Sequence, residues 1–459
     1  MACVPVWGQL PAVVTQAGSA ADYPGAAYLV VYDSTRADVQ GSGLSYKHRH
    51  ILYKALTHKG ARKLDELRFG YDPLSAYVEV KQALVYRKDG STDTLPPGAV
   101  YDYPAPARMI YWGAREKMIA VGHVEPGEAV EIQLFRKGFT YALLHNGQPD
   151  DARYVPPMRG HFYEIVEFWN SQPVREKVFE VKLPKDKEFF FRDFNANIRH
   201  TRTDTGEKWK HSFSMKNLPV PDLPPHSVAV SDVSPKLLMT TTAEWEQKSR
   251  WFYGVNEDFG SFEATPEIDK KVDRLLRGAR TEQEKIEVLT HWVADNIRYS
   301  GLSMGPGEGY TLHKAEMTFR DRSGVCKDKA GMLIAMLRSA GFEAYAAMTM
   351  AGQRIEDIPA DQFNHSVTVV KRSNGSYQLL DPTWVPLIRE LWSGREQQQH
   401  YLMGLPEGAG LMQTPVSGPE NHYMHMQVEG ELDATGKLAA TLTVKAEGQS
   451  DAALRGMFT

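Results

Sequence analysis

Cysteine is almost missing from this chain: 459 residues contain two, Cys3 and Cys326. Two thiols cannot build a disulfide framework, so the fold must be held by apolar cores. A bridge between them would tie an N-terminal tail to a helix start and is not expected. An excess of one charge is also missing. Fifty-three Lys and Arg oppose 57 Asp and Glu, a formal net charge of −4, which removes the electrostatic case for a nucleic-acid or anionic-membrane partner. There is no apolar run of the ~18 residues that read as a membrane span, and no internal repeat or low-complexity tract. The N-terminus MACVPVWGQLPAVV lacks a basic segment leading into a continuous apolar core, so it is not a signal peptide as it stands. The pairs His48/His50 and His422/His425 lack the companion ligands of a zinc site, so no metal is expected. GPGEGY (305–310) lacks the Lys-Ser/Thr of a phosphate loop and reads as a cleft edge; no cofactor is expected. Nothing sets an oligomeric state.

Aromatic residues are plentiful, with 21 Tyr, 18 Phe and 9 Trp. They concentrate in segments of strand character such as AYLVVYDS, SAYVEVKQALVYRKDGSTDTL and EAVEIQLFRKGF. Asp89-Gly90 marks a hairpin turn. Residues 25–216 are expected to form a β-sandwich, or two sheets face to face, after an N-terminal tail over 1–24. The proline-rich stretch NLPVPDLPPHSVAVSDVSP opens a linker over 217–240. Beyond it the apolar period changes from 2 to 3.6. A helix begins near Thr242, a second has Thr265 as N-cap and Pro266 at its first position, and a third carries the capping box Thr281–Glu284. A helix over Cys326–Ala340 with Gly341 as C-cap is followed by strands, so 241–405 reads as an α+β core. Residues 406–459 read as strand, turn and strand, too few to stand alone.

Cys326 begins its helix. Unpaired N–H groups and the partial positive charge of a helix start favour a thiolate, and can later hold an oxyanion. Gly324 lets backbone approach closely just before it. Asp328 and Lys329 read as a solvated first turn. FNHSVTVV places His365 at the head of one strand, and YQLLDPTW places Asp381 at the end of the next, with the turn Asn374-Gly375 between them. A hairpin makes the two side chains cross-strand neighbours. Asp381 then fixes the tautomer of His365 and leaves its other nitrogen for Cys326. Asn364 and Trp384 fall beside the same cleft; the glycosylation match at Asn364 is taken as chance. Each residue alone is most simply structural, and the weight comes from the three together.

GVCKDKAGMLIAMLRSAGFEA, FNHSVTVV and LLDPTW resemble the three catalytic blocks of the transglutaminase-like (papain-like) superfamily, in the order Cys, His, Asp. HWVADNIRYSG resembles its preceding helix. YDPLSAYVEV and PARMIYWGAREKM resemble the bacterial DUF3857 domain that precedes such cores, and the terminal strands resemble the start of the β-domain that follows them. The resemblance implies a multi-domain protein: an all-β sandwich, a transglutaminase-like core, and the start of a C-terminal β-domain. It implies a Cys326–His365–Asp381 triad acting on a peptide, protein or other amide through a thioester, with the Cys326 N–H and either Tyr310 or Asn296 as oxyanion donors. It also suggests a periplasmic or secreted location. The triad itself does not choose between hydrolysis and transamidation; hydrolysis is expected. The other readings are a transamidase of the same fold and a non-catalytic binding module with a vestigial triad.

Overall fold

The computed structural model describes residues 11–73, 75–106, 114–140, 160–300, 312–385, 391–392 and 394–458. It divides into two compact units. One runs to Glu244 and takes in Ile358–Asp361; the other holds Trp245–Asp357 and Gln362 onward.

The first unit is built from strands β1 (Tyr28–Val39), β2 (Ser45–Ala55), β3 (Glu66–Tyr71), β4 (Ala76–Tyr86), β5 (Thr92–Thr94), β6 (Val100–Pro104), β7 (Arg115–Ala120), β8 (Ala129–Gly138), β9 (Tyr163–Glu167), β10 (Val174–Pro184), β11 (Phe190–Phe194), β12 (Arg199–Asp204), β13 (Lys208–Leu218) and β14 (Lys236–Thr240). Eight of them form one sheet, ordered β12-β13-β10-β1-β2-β8-β4-β5. Two three-stranded sheets, β3-β7-β6 and β11-β14-β9, complete the layers. Period-2 alternation sorts the side chains. Val30, Ala37 and Val39 of β1 join Phe179, Val181, Phe213, Leu237 and Met239 in one core, while Leu29 and Val31 turn to the other face, toward Val14 and Leu52. A third core gathers Val85, Ile119, Val130 and Ile132 beside the short helix α2 (His58–Leu64).

The face-to-face sheets agree with the expectation, and two boundaries change. The presumed tail is packed from residue 11: helix α1 (Ala12–Thr15) buries Val14, and the Lys54 ammonium donates to Val14 O (2.9 Å) and Gly18 O (2.7 Å). The presumed linker over 217–240 is also shorter. Val230–Val233 forms helix α3, and Lys236–Thr240 is strand β14, buried throughout, between β11 and β9. KLLMT is a short apolar run of the kind that makes a strand covered on both faces, and its neighbouring prolines hid it.

The second unit contains α4 (Trp245–Phe259), α5 (Pro266–Leu275), α6 (Glu282–Asn296), β15 (Arg298–Tyr299), α7 (Ala315–Asp321), β16 (Ser323–Gly324), α8 (Cys326–Ser339), β17 (Glu343–Thr349), β18 (His365–Lys371), β19 (Tyr377–Leu380), β20 (His400–Met403) and β21 (Met412–Gln413). The Thr265 and Thr281 side chains cap α5 and α6, the latter in a full capping box with Glu284. Gly341, at φ +87°, ends the cysteine helix. An antiparallel sheet ordered β19-β18-β17-β20-β21 carries α8 on its face. That helix is buried on all sides from Asp328 to Leu337. Hairpin β22 (Met424–Leu432) and β23 (Leu438–Ala446) matches the expected terminal strands, and helix α9 (Gln449–Phe458) follows. The hairpin leaves Met426, Val428, Leu432, Leu438 and Leu442 exposed. Among the described residues no helix is long and apolar enough to cross a membrane.

Candidate active site

Cys326 is the first residue of α8, and the start of that helix is reinforced by charges that the sequence reading placed in solvent. Asp328 accepts the Val325 N–H on Oδ2 (2.8 Å) and pairs through Oδ1 with His313 Nδ1 (2.7 Å). Only 4% of Asp328 and 2% of Lys329 is exposed, so the solvated first turn is corrected. The physical reason for each burial is a partner. Asp328 is a cap facing a histidine. The Lys329 ammonium donates to Ala294 O (3.0 Å) and Ile297 O (2.7 Å), carbonyls at the end of α6. Burial pulls the Lys329 pKa down to about 8, against the attraction of Asp381 and Asp295. Gly324 makes room for the Asp328 side chain: a Cβ there would lie 2.5 Å from the Asp328 Cβ.

His365 and Asp381 meet as the hairpin predicts, though along a diagonal. The ladder pairs Thr368 with Leu380 and Lys371 with Tyr377, which carries Asp381 toward Val367 rather than directly opposite His365. The side chains close the offset, with His365 Nε2 at 3.1 Å from Asp381 Oδ2. Asp381 is fully buried, and its Oδ1 accepts the Thr383 N–H (2.9 Å). The Cys326 thiol, half-buried, is hydrogen-bonded to His365.

The charges of this pair follow from its neighbours. Burial pushes the Cys326 thiol up. The hydrogen bond and charge of His365, with the N–H groups of Ser366 and Lys327, pull it down further, and the net shift is downward. Burial works against a charged His365 ring. The charge and hydrogen bond of Asp381, then those of Cys326, outweigh it, and the ring is raised. Both shifts favour a thiolate beside an imidazolium.

Tyr299, in the two-residue strand β15, is a neighbour the sequence reading missed. β15 runs parallel to β16, pairing Tyr299 with Gly324. The phenol is hydrogen-bonded to the Cys326 side chain and receives the Cys326 N–H, and burial followed by the thiol's charge raises its pKa. Trp384 lines the same place, its ring centroid 6.2 Å from that of Tyr299 and 5.8 Å from that of His365.

The two sequence-expected oxyanion donors fare differently. Asn296 is exposed, and its amide donates to Trp292 O (2.9 Å) of its own helix, so its hydrogen bond serves the end of α6. Tyr310, like the 305–310 loop and Cys3, lies outside the described residues. The Asn364 side chain exchanges hydrogen bonds with the backbone of Ala351 (2.8 and 3.1 Å), so the residue staples a loop. The signal for Tyr299 was its place in NIRYSG, just past the helix whose end Lys329 holds. Glu396, fully buried, also went unread. It lies close enough that one of its oxygens, one from Asp381 and a His365 nitrogen fall within 4.8 Å of one another. Such a trio can hold a divalent ion, but an ion taking His365 Nε2 would displace its contact with Asp381.

Comparisons with known proteins agree with this architecture. Residues 269–382 match the transglutaminase-like superfamily, and residues 41–222 match DUF3857, a domain of unknown function with solved structure. The chain therefore carries an N-terminal DUF3857 β-domain followed by a transglutaminase-like α+β core and C-terminal strands. A proposed protease from Parabacteroides distasonis shares the fold, with a TM-score of 0.65 at 14% identity over 85% of this chain and 72% of that one. A proposed cysteine protease from Cytophaga hutchinsonii is 12% identical over 63% of this chain and 89% of that one, at a TM-score of 0.25 that supports no argument. No curated protein matches the chain.

Proposed function

We propose that this protein is a thiol-dependent acyl-transfer enzyme that hydrolyses a peptide or related amide through a thioester on Cys326. The observation that carries the reading is the chain of contacts from the Cys326 thiol to His365 and from His365 Nε2 to Asp381 at 3.1 Å. The thiolate attacks the amide carbonyl carbon, and the carbonyl π electrons move to oxygen. The oxyanion is held by the Cys326 N–H and, in place of Asn296, by the Tyr299 hydroxyl. Collapse of the adduct breaks the C–N bond, and the amine leaves with the proton of the His365 imidazolium. The neutral imidazole then takes a proton from water as that water attacks the thioester, which releases the acid and returns the thiolate. Asp381 keeps its proton-accepting face toward Nε2 throughout. Trp384 forms a wall beside the ring.

The test is to incubate the protein with a peptide library and a fluorescent primary amine, and to read the products by mass spectrometry. The expected result is new free carboxyl groups that are missing with Cys326→Ala. Amine incorporation outrunning hydrolysis would assign transamidation, and no product of either kind with a freely alkylated Cys326 would leave a binding module.

A further inference from the structure

The inner face of the eight-stranded sheet carries a cleft of about 550 Å³ inside the first unit. Such a face is ordinarily apolar, because it packs on the opposing layer. Here five basic side chains (Lys47, Arg49, Arg68, Arg136, Lys177) oppose three acidic ones (Asp33, Glu164, Glu167). The chain as a whole has the opposite sign, −4.

Most of these charges are matched within the unit. Asp33, 5% exposed, takes a two-pronged bond from Arg49 (2.9 Å to each oxygen) and lies 3.3 Å from Lys177. Lys47 pairs with Glu164, and Arg68 with Glu66 and Glu116. Arg136 differs. The register places it directly across from Lys47 on one side and Val78 on the other, and like charges directly opposed on a sheet are unfavourable. Among the described residues Arg136 makes no side-chain hydrogen bond or ion pair, and neither does the Glu167 carboxylate. Between the charges the wall is apolar, with Phe69, Leu134, Ile165 and Phe179.

We propose that this cleft is a binding site for an acidic peptide segment, with Arg136 receiving a carboxylate of the ligand. Two cations, Arg49 and Lys177, share the single carboxylate of Asp33, and Arg136 is exposed to the cleft mouth, so anionic side chains are favoured along this stretch of the wall. Its apolar intervals suit a chain that alternates charged and apolar residues, and the carboxylates of Glu164 and Glu167 disfavour a uniform polyanion. The lining of the site belongs wholly to the first unit, and binding there does not depend on the chemistry at Cys326.

The experiment uses the full chain carrying Cys326→Ala, so that no probe is consumed, and a short fluorescein-labelled peptide of alternating glutamate and leucine. Fluorescence anisotropy should show binding that weakens as salt rises, and no binding of the matching lysine–leucine peptide. Arg136→Glu should weaken binding roughly tenfold or more. Arg136→Leu, which suits the neighbouring Val78 and Leu134 and so guards against a folding defect, should lose affinity in the same direction. Unchanged affinity in either folded variant, no anisotropy change at low salt, or tighter binding of inorganic polyphosphate than of the peptide would each overturn the proposal.

Discussion

Tyr299 and Cys326 are joined twice: the phenol bonds the sulfur, and the Cys326 N–H reaches back to the phenol oxygen. Four groups thus surround one sulfur, since His365 and the N–H groups of Ser366 and Lys327 also point at it. The phenol hydroxyl lies beside the Cys326 N–H, where the two groups can together donate to a developing oxyanion.

Removing the phenol should therefore separate chemistry from thiol reactivity. Tyr299→Phe is expected to lower kcat by roughly 100-fold, the order seen when one oxyanion donor is lost. Alkylation of Cys326 by iodoacetamide at neutral pH should change little, because His365 remains. Parallel assays of turnover and alkylation check this; an unchanged kcat would return the donor role to another residue.

The pH dependence of alkylation should report the ion pair. The folded Cys326 pKa is lowered and the His365 pKa is raised, so labelling should persist well below the ~8.5 of a free thiol. In His365→Ala the hydrogen bond and positive charge are gone while burial remains. The thiol should then move upward and the labelling limb shift to alkaline pH. Asp381→Asn should shift it in the same direction by less, since it removes the main support of the charged ring. A labelling profile that matches free cysteine in the unmodified protein would remove the basis for the proposed nucleophile.

Lys329 makes a stability prediction with a definite sign. Its folded pKa is about 8, below the ordinary lysine value of 10.5. Between those values the unfolded chain binds more protons than the folded one, so this residue makes stability rise with pH across that window and fall again as pH drops toward 8. Urea unfolding at a series of pH values should show that slope, and Lys329→Met should flatten it. The same variant leaves the Ala294 and Ile297 carbonyls without their donor and should cost about 3 kcal/mol at neutral pH.

Gly324→Ala should be destabilising and should impair activity together. The new methyl would meet the Asp328 Cβ at 2.5 Å, and Asp328 holds the Val325 N–H that opens α8. A loss of about 1–3 kcal/mol is expected from forced displacement in a packed site. Thermal unfolding and turnover measured side by side check it; a variant as stable and active as the original would show that the helix start yields easily.

Much of the site was legible because it rests on local chemistry. Asn374-Gly375 fixes the hairpin that brings His365 to Asp381, and the position of Cys326 at a helix start follows from the turn and glycine before it. The Thr265 cap, the Thr281–Glu284 capping box and the Asp89-Gly90 turn are equally local. What stayed hidden depends on tertiary partners. Asp328 and Lys329 look like ordinary exposed first-turn charges until His313 and the end of α6 are placed against them. Tyr299 lies 27 positions before Cys326 in sequence and reaches it only through the two-residue pairing with β16. Strand β14 was masked by the prolines around it, whose usual meaning is a linker.

The grip of Lys329 on the end of α6 has a consequence for anyone who would move this site elsewhere. The lysine grows from the cysteine's own helix, and the carbonyls it holds lie two and five positions before Tyr299. Transplanting Cys326, His365 and Asp381 alone onto a foreign scaffold would leave that anchor and the phenol behind. Any transplant needs at least the continuous stretch from Ala294 to Trp384, which also keeps the Thr383 N–H on Asp381.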